Sequence, residues 1–195
     1  MSSEAASTTA LSRGASSQDL ARLVEQAQQG KREAVEELYL LHFDRIYSYL
    51  HMNVGNRHDA EDLTTQVFVK MLESIGKFRW RSAPFSAWLF RIAHNLAMDH
   101  FRAARRWQPE EEVPEPEGSE ELSAEEEALH SIGRKSMLEM IETLSSEQQQ
   151  VLTLKFVFNF SNAEAGTILG KTEGAIKSLQ HRALASLQKQ LAQKD

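Results

Sequence analysis

The chain has 195 residues, a net charge of -6 and no cysteine, which leaves room for one medium or two small domains and excludes disulfides and thiolate metal sites. No apolar run approaches the roughly 20 residues of a membrane-spanning helix, and the opening MSSEAASTTALSRGASSQ has neither the basic start nor the apolar core of a signal peptide. A soluble, cytoplasmic protein is expected.

Residues 1–16 read as a disordered tail, being small, polar and aperiodic. From there DLARLVEQAQQGKREAVEELYLLHFDRIYSYLHMNV predicts two helices split near Gly30, the second apolar at Val35, Leu38, Leu41 or His42, Ile46 and Leu50. VGNRH breaks that helix. In DAEDLTTQVFVKMLESIGKF, Ala60, Leu63, Val67 and Met71 recur at three and four, while Asp59, Asp62, Gln66, Val69 and Glu73 fall on another face. One side is core and the other an acidic surface.

The charge then reverses. Residues 77–107 carry seven basic groups against one acid, a local charge of +6 inside an acidic protein. On a helical wheel of residues 85–106, Phe85, Leu89, Ile92, Ala93 and Leu96 share one side, and Arg91, Asn95, Met98, Arg102, Arg105 and Arg106 lie opposite. Phe90, His94 and Phe101 flank that stripe, and GKFRWRSAPF just before it interleaves Lys77, Arg79 and Arg81 with Phe78 and Trp80. Cations interleaved with aromatics suit single-stranded nucleic acid, whose phosphates need charge and whose unpaired bases stack on flat rings. Periodicity favours a core role for Phe85, Trp88 and Phe90, and exposure for Trp80 and the arginines.

Residues 108–127, QPEEEVPEPEGSEELSAEEE, hold ten glutamates and three of the four prolines, the composition of an extended, self-repelling linker. It separates an N-terminal unit, 17–107, from a C-terminal unit, 128–195. In the second unit VLTLKFVFNF admits a strand, but Ser145 and Gln148 form a capping-box pattern and Val151, Leu154 and Phe158 keep helical spacing, so a helix is favoured. FSNAEAGTILGKTEGAIKSLQHRALASLQKQL follows with a second capping box, Ser161 and Glu164, a turn at Gly170 and a new helix after Thr172. Gly166 allows close helix crossing, and Ile176, Leu179, Ala183 and Leu187 form the buried face of the new helix. This is helix-turn-helix grammar, and it leaves Glu173, Lys177, Gln180 and His181 outward with Ser178 and Arg182 on a flank.

Together DAEDLTTQVFVKMLESIGKF, FSAWLFRIAHNLAMDHFRAARR and LSSEQQQVLTLKFVFNFSNAEAGTILGKTEGAIKSLQHRAL resemble conserved regions two and four of the extracytoplasmic-function (ECF) sigma factors, the minimal sigma-70 group. The resemblance covers about 17–107 and 128–191 and implies an all-α protein of two small helical domains joined by the acidic linker. It implies docking on the clamp helices of core RNA polymerase by Asp59, Glu61, Asp62, Gln66 and Phe68. It assigns Lys77, Arg79, Trp80, Arg81, Arg91, Asn95, Arg102, Arg105 and Arg106 to the minus-ten element, melted and read on its non-template strand. The minus-thirty-five element falls to Lys171, Thr172, Glu173, Lys177, Ser178, Gln180, His181 and Arg182. It also implies an anti-sigma factor as partner, a monomer when free, and no catalytic residue, metal or cofactor. Two positions depart from the family pattern: Thr65-Gln66 stands for a usual Gln-Glu, and Leu179-Gln180 for a common Arg-Leu.

Two rival readings exist. His42, His51, His58, Asp59, His94, Asp99 and His100 could be arranged as a metal phosphohydrolase centre, but Asp59 is more simply a helix-start acid favoured by the dipole. A stand-alone helix-turn-helix regulator would use only the C-terminal unit, as a dimer on a palindrome.

Overall fold

The computed structural model describes residues 17–80, 83–107, 141 and 143–194. Contacts divide the chain into two units, Met1–Pro114 and Glu115–Asp195. The expected tail at 1–16 and the acidic segment at 108–127 lie outside the described residues, as does Arg81. Among the described residues every regular element is helical.

The first unit holds α1 (Ser17–Gln28), α2 (Arg32–Val54), α3 (Arg57–Ser74), a 3-10 turn (Ile75–Lys77) and α4 (Phe85–Trp107). The breaks fall where the backbone must turn left-handed: Gly30 has φ 80° and Gly55 φ 69°, values that cost a side-chain-bearing residue energy. After Gly55, the Asn56 side chain accepts from the Asp59 backbone N–H and starts α3. α2, α3 and α4 bury Leu38, Ile46, Leu50, Val67, Met71, Phe85 and Leu89 between them. Of the two candidates on α2, His42 is the buried one and Leu41 is only half-buried.

A side chain of α1 sets the loop before α4. The Gln28 amide donates to the carbonyls of Ile75 (2.9 Å) and Phe78 (3.0 Å), satisfying two acceptors that a turn leaves open. Phe78 is buried, with its ring 5.4 Å from that of Phe85 and 5.1 Å from that of Trp88.

The second unit holds α5 (Ser146–Leu152), a π-turn (Thr153–Val157), α6 (Asn162–Leu169) and α7 (Glu173–Lys194). Both capping boxes form, Ser145 with Gln148 and Ser161 with Glu164. The ambiguous VLTLKFVFNF is helical, but its second half is wider than an α-helix, with the Phe158 N–H reaching back five residues to the Thr153 carbonyl at 3.2 Å. The wider turn brings Leu154, Phe158 and Phe160 inward and leaves Phe156 59% exposed. α7 packs on α5 and α6 through Ile176, Leu179 and Ala183.

The α6–α7 corner is fixed by glycine in two ways. Gly170 ends α6 with φ 66°. Gly166 is buried so close to the turn that a Cβ there would lie 2.6 Å from the Lys171 carbonyl oxygen. Its own carbonyl accepts from the Lys171 N–H at 2.8 Å. The close approach is therefore of helix to turn backbone, tighter than any side chain permits.

Candidate partner and nucleic-acid interfaces

On α3 the outward groups Glu61, Asp62 and Gln66 are exposed, and each acid has a local counter-group. Arg57 Nε meets Glu61 Oε1 at 2.8 Å, and His58 Nδ1 lies 3.4 Å from Asp62 Oδ2. Asp59 is partly covered, with a carboxylate oxygen 3.6 Å from His100 Nε2 on α4. The acidic stripe is thus a set of pairs, weak at this exposure. Phe68 differs from the other four candidate docking residues. It is 6% exposed, with its ring 4.6 Å from Tyr39 and 6.4 Å from Phe43. Helical geometry turns it inward one position after Val67, so it supports the α2–α3 face rather than presenting itself to a partner.

α4 separates its two faces as the wheel predicts. Arg91, Asn95 and Arg102 are exposed, whereas Phe85, Leu89, Ala93 and Leu96 are buried and Ile92 half-buried. Arg102 Nη1 pairs with Asp99 at 2.9 Å. Arg105 and Arg106 belong to α4, and their side chains lie outside the described set. Ahead of the helix, Lys77 and Trp80 are exposed, Trp80 at 41%. The Arg79 guanidinium donates to the carbonyls of Gly76 (2.9 Å) and Phe78 (2.8 Å), so it closes the turn as well as carrying charge.

Of the aromatic flankers of the stripe, Phe90 takes the core role that periodicity favours and His94 turns partly inward. Phe90 is fully buried, its ring 5.2 Å from Tyr49, with the Arg45 guanidinium 5.5 Å above it. His94 is half-buried and shares a 3.1 Å hydrogen bond through Nδ1 with the Tyr49 hydroxyl, whose ionisation burial pushes up. Of the three flankers, only Phe101 remains exposed.

The sequence did not disclose a cleft between α3 and α4. Lys70, Glu73 and Ser74 line one wall and Ile92, Asn95, Leu96 and Asp99 the other of an open cleft of about 380 Å³. Ile92 and Leu96 contribute apolar lining, and Lys70, Glu73, Ser74, Asn95 and Asp99 contribute donors and acceptors. The signal was present as matched spacings, three and four on α3 against three, four and seven on α4, but pairing them requires knowing which helices are neighbours.

In the second unit the turn and first three turns of α7 gather the remaining candidates. The Thr172 hydroxyl accepts from the Ala175 N–H at 3.2 Å. Glu173 and Lys177 pair at 2.8 Å. The Ser178 hydroxyl donates to the Gly174 carbonyl at 3.0 Å, and Arg182 Nε donates to the Ser178 carbonyl at 3.4 Å. His181 is exposed and Gln180 half-buried, while Leu179 is core. Lys171 is partly withdrawn: its ammonium sits 2.6 Å from Glu147 on α5, and its side chain is 29% exposed.

Comparison with known proteins accords with this arrangement. Residues 38–107 match Sigma-70 region 2 and residues 134–187 match Sigma-70 region 4. The ECF RNA polymerase sigma factor BldN of Streptomyces coelicolor is 39% identical over 180 residues, covering 90% of this chain and 68% of that protein. SigW of Bacillus subtilis is 29% identical, over 86% of this chain and 94% of its own. Among solved structures, CnrH in complex with the cytosolic domain of CnrY shares the fold, with TM-score 0.63 and 24% identity over 89% of this chain and 97% of that one. A stand-alone regulator needs only the helix-turn-helix; here the first unit matches region 2 and the relatives run across both units. With both regions present in order, the chain belongs to the ECF family of RNA polymerase sigma factors.

Proposed function

We propose that this sigma factor brings core RNA polymerase to its promoters through the exposed face of α3, opens and reads the minus-ten element along α4, and reads the minus-thirty-five element as duplex with α7. The observation that carries the reading is the exposed Arg91–Asn95–Arg102 stripe running beside the α3–α4 cleft. A single strand laid along that stripe has its phosphates neutralised, and an extruded base has an adjacent cleft lined by both apolar and polar side chains to receive it. Extrusion costs a few kcal/mol, which phosphate contacts and stacking on exposed rings such as Trp80 offset.

The docking face is assigned to Asp59, Glu61, Asp62 and Gln66, with Phe68 holding the α2–α3 face behind them. The upstream reader is Thr172, Glu173, Lys177, Ser178, Gln180, His181 and Arg182. Glu173 and Lys177 offer an acceptor and a donor to base edges, while Arg182 reaches phosphate. The protein performs no reaction of its own; the polymerase supplies the chemistry, and both work in the cytoplasm. An anti-sigma factor is the expected regulator, as in the solved complexes of CnrH with CnrY and of the sigma factor RpoE with the anti-sigma factor NepR from Bartonella quintana.

Run-off transcription with purified core polymerase on a genomic promoter library tests the whole reading. Permanganate footprinting tests the stripe: Arg91→Ala with Asn95→Ala should fold and bind core polymerase normally yet leave the minus-ten thymines unreactive. Unchanged strand opening in that double variant overturns the assignment of α4.

A further inference from the structure

Lys171 occupies the turn of the helix-turn-helix, where a cation faces the duplex backbone if α7 enters the major groove. Its backbone is held rigidly, with the N–H on the Gly166 carbonyl at 2.8 Å and its own carbonyl against Gly166, where no Cβ can enter. Its side chain is not free, because the ammonium lies 2.6 Å from Glu147 Oε1, 24 residues earlier in the chain. Glu147 is itself placed by structure: it occupies the first turn of α5, whose start is fixed by the reciprocal Ser145–Gln148 capping box. There the helix dipole favours its negative charge. Neither partner has to order a backbone segment to make the pair, so only side-chain freedom is lost.

We propose that Glu147 is an affinity-setting residue for duplex DNA: by pairing with Lys171 it withholds one phosphate contact from α6–α7 and lowers the protein's affinity for any duplex. The inference rests on the reading of α7 as the duplex reader. A carboxylate held at 2.6 Å competes with phosphate for the same ammonium, and a protein loses binding and salt dependence for each contact it forgoes. Because a phosphate contact carries no sequence information, the restraint acts alike on every duplex.

The test uses the full chain, fluorescence anisotropy, and two labelled duplexes of equal length, one with a functional upstream element and one of random sequence. Glu147→Gln should bind both more tightly, by up to about eight-fold at 0.1 M salt, with the slope of log affinity against log salt steeper by about 0.9, the value for one additional phosphate. Adding Lys171→Gln to Glu147→Gln should remove the gain. The proposal is overturned if Glu147→Gln changes neither affinity nor slope, or if the gain survives Lys171→Gln. It is equally overturned if binding weakens together with a lower melting temperature, which makes the pair a staple of the fold. Lys177→Ala separates the two levels. If it leaves binding to the upstream element unchanged, the duplex reading of α7 falls and this proposal with it; if it weakens binding while Glu147→Gln does nothing, only this proposal falls.

Discussion

His42 is the side chain in the first unit whose chemistry conflicts most with its place. It is 6% exposed against the Phe85 ring, and among the described residues neither ring nitrogen has a hydrogen-bond partner. Burial, with the Arg45 charge beside it, lowers its pKa from 6.5 to about 4. The folded state therefore holds the neutral ring while the unfolded chain takes up a proton below about 6.5. Stability is full above that pH and is lost as pH falls from 6.5 toward 4, by about 3 kcal/mol for a shift of this size. His42→Leu keeps the volume and removes the titration. Urea unfolding at pH 7.5 and pH 5 should show the parent losing stability relative to the variant at pH 5, and parallel behaviour at both values would mean the imidazole charges freely in the folded protein.

At the scale of elements, the loop before α4 depends on α1, an element with no assigned contact to DNA. The Gln28 amide spans to the carbonyls of Ile75 and Phe78, and Phe78 in turn packs on Phe85 and Trp88. Gln28→Ala removes two donors from half-buried acceptors and should cost about 1–2 kcal/mol in stability. The larger effect is local: amide hydrogen exchange should quicken over 75–80 while α2 and α3 keep their protection. If exchange rises evenly through the first unit, the loop is not held from α1. In the second unit, the π-turn at Thr153–Val157 plays a comparable part, because it is the change of pitch that turns Phe158 and Phe160 into the core before α6 starts.

Over the whole molecule the dominant pattern is electrostatic. The segment 77–107 carries +6 and the next 20 residues carry ten glutamates, so the two are held at the effective concentration of a short tether, on the order of millimolar. Carboxylates tethered at that concentration are expected to compete with DNA phosphates for Arg91, Arg102 and their neighbours. Changing Glu110, Glu111, Glu112, Glu115 and Glu117 to glutamine should raise affinity for single-stranded DNA at low salt, with the gain shrinking as salt screens the contact. Anisotropy at two salt concentrations measures it, and equal affinities at low salt would leave the acidic segment no such role. Within the second unit the Glu147–Lys171 pair acts in the same direction on a single cation.

The amino-acid sequence by itself determined what depends on neighbours in the chain. The helices, their glycine breaks, both capping boxes, the two-faced α4 and the helix-turn-helix all follow from spacings of three to five residues and from side chains that bond their own backbone. The family could be recognised for the same reason, since its motifs are local. Tertiary structure alone decided which of two adjacent residues turns inward and what each exposed group meets across a helix boundary. It buried Phe68, which a wheel leaves near the edge of a face, because a second helix covers that edge. It chose His42 over Leu41, opened the α3–α4 cleft, and joined Gln28 to residues 47 and 50 positions away. It also tied up Lys171, a cation that sequence leaves free, because the carboxylate that neutralises it lies 24 residues earlier and only folding brings the two within 2.6 Å.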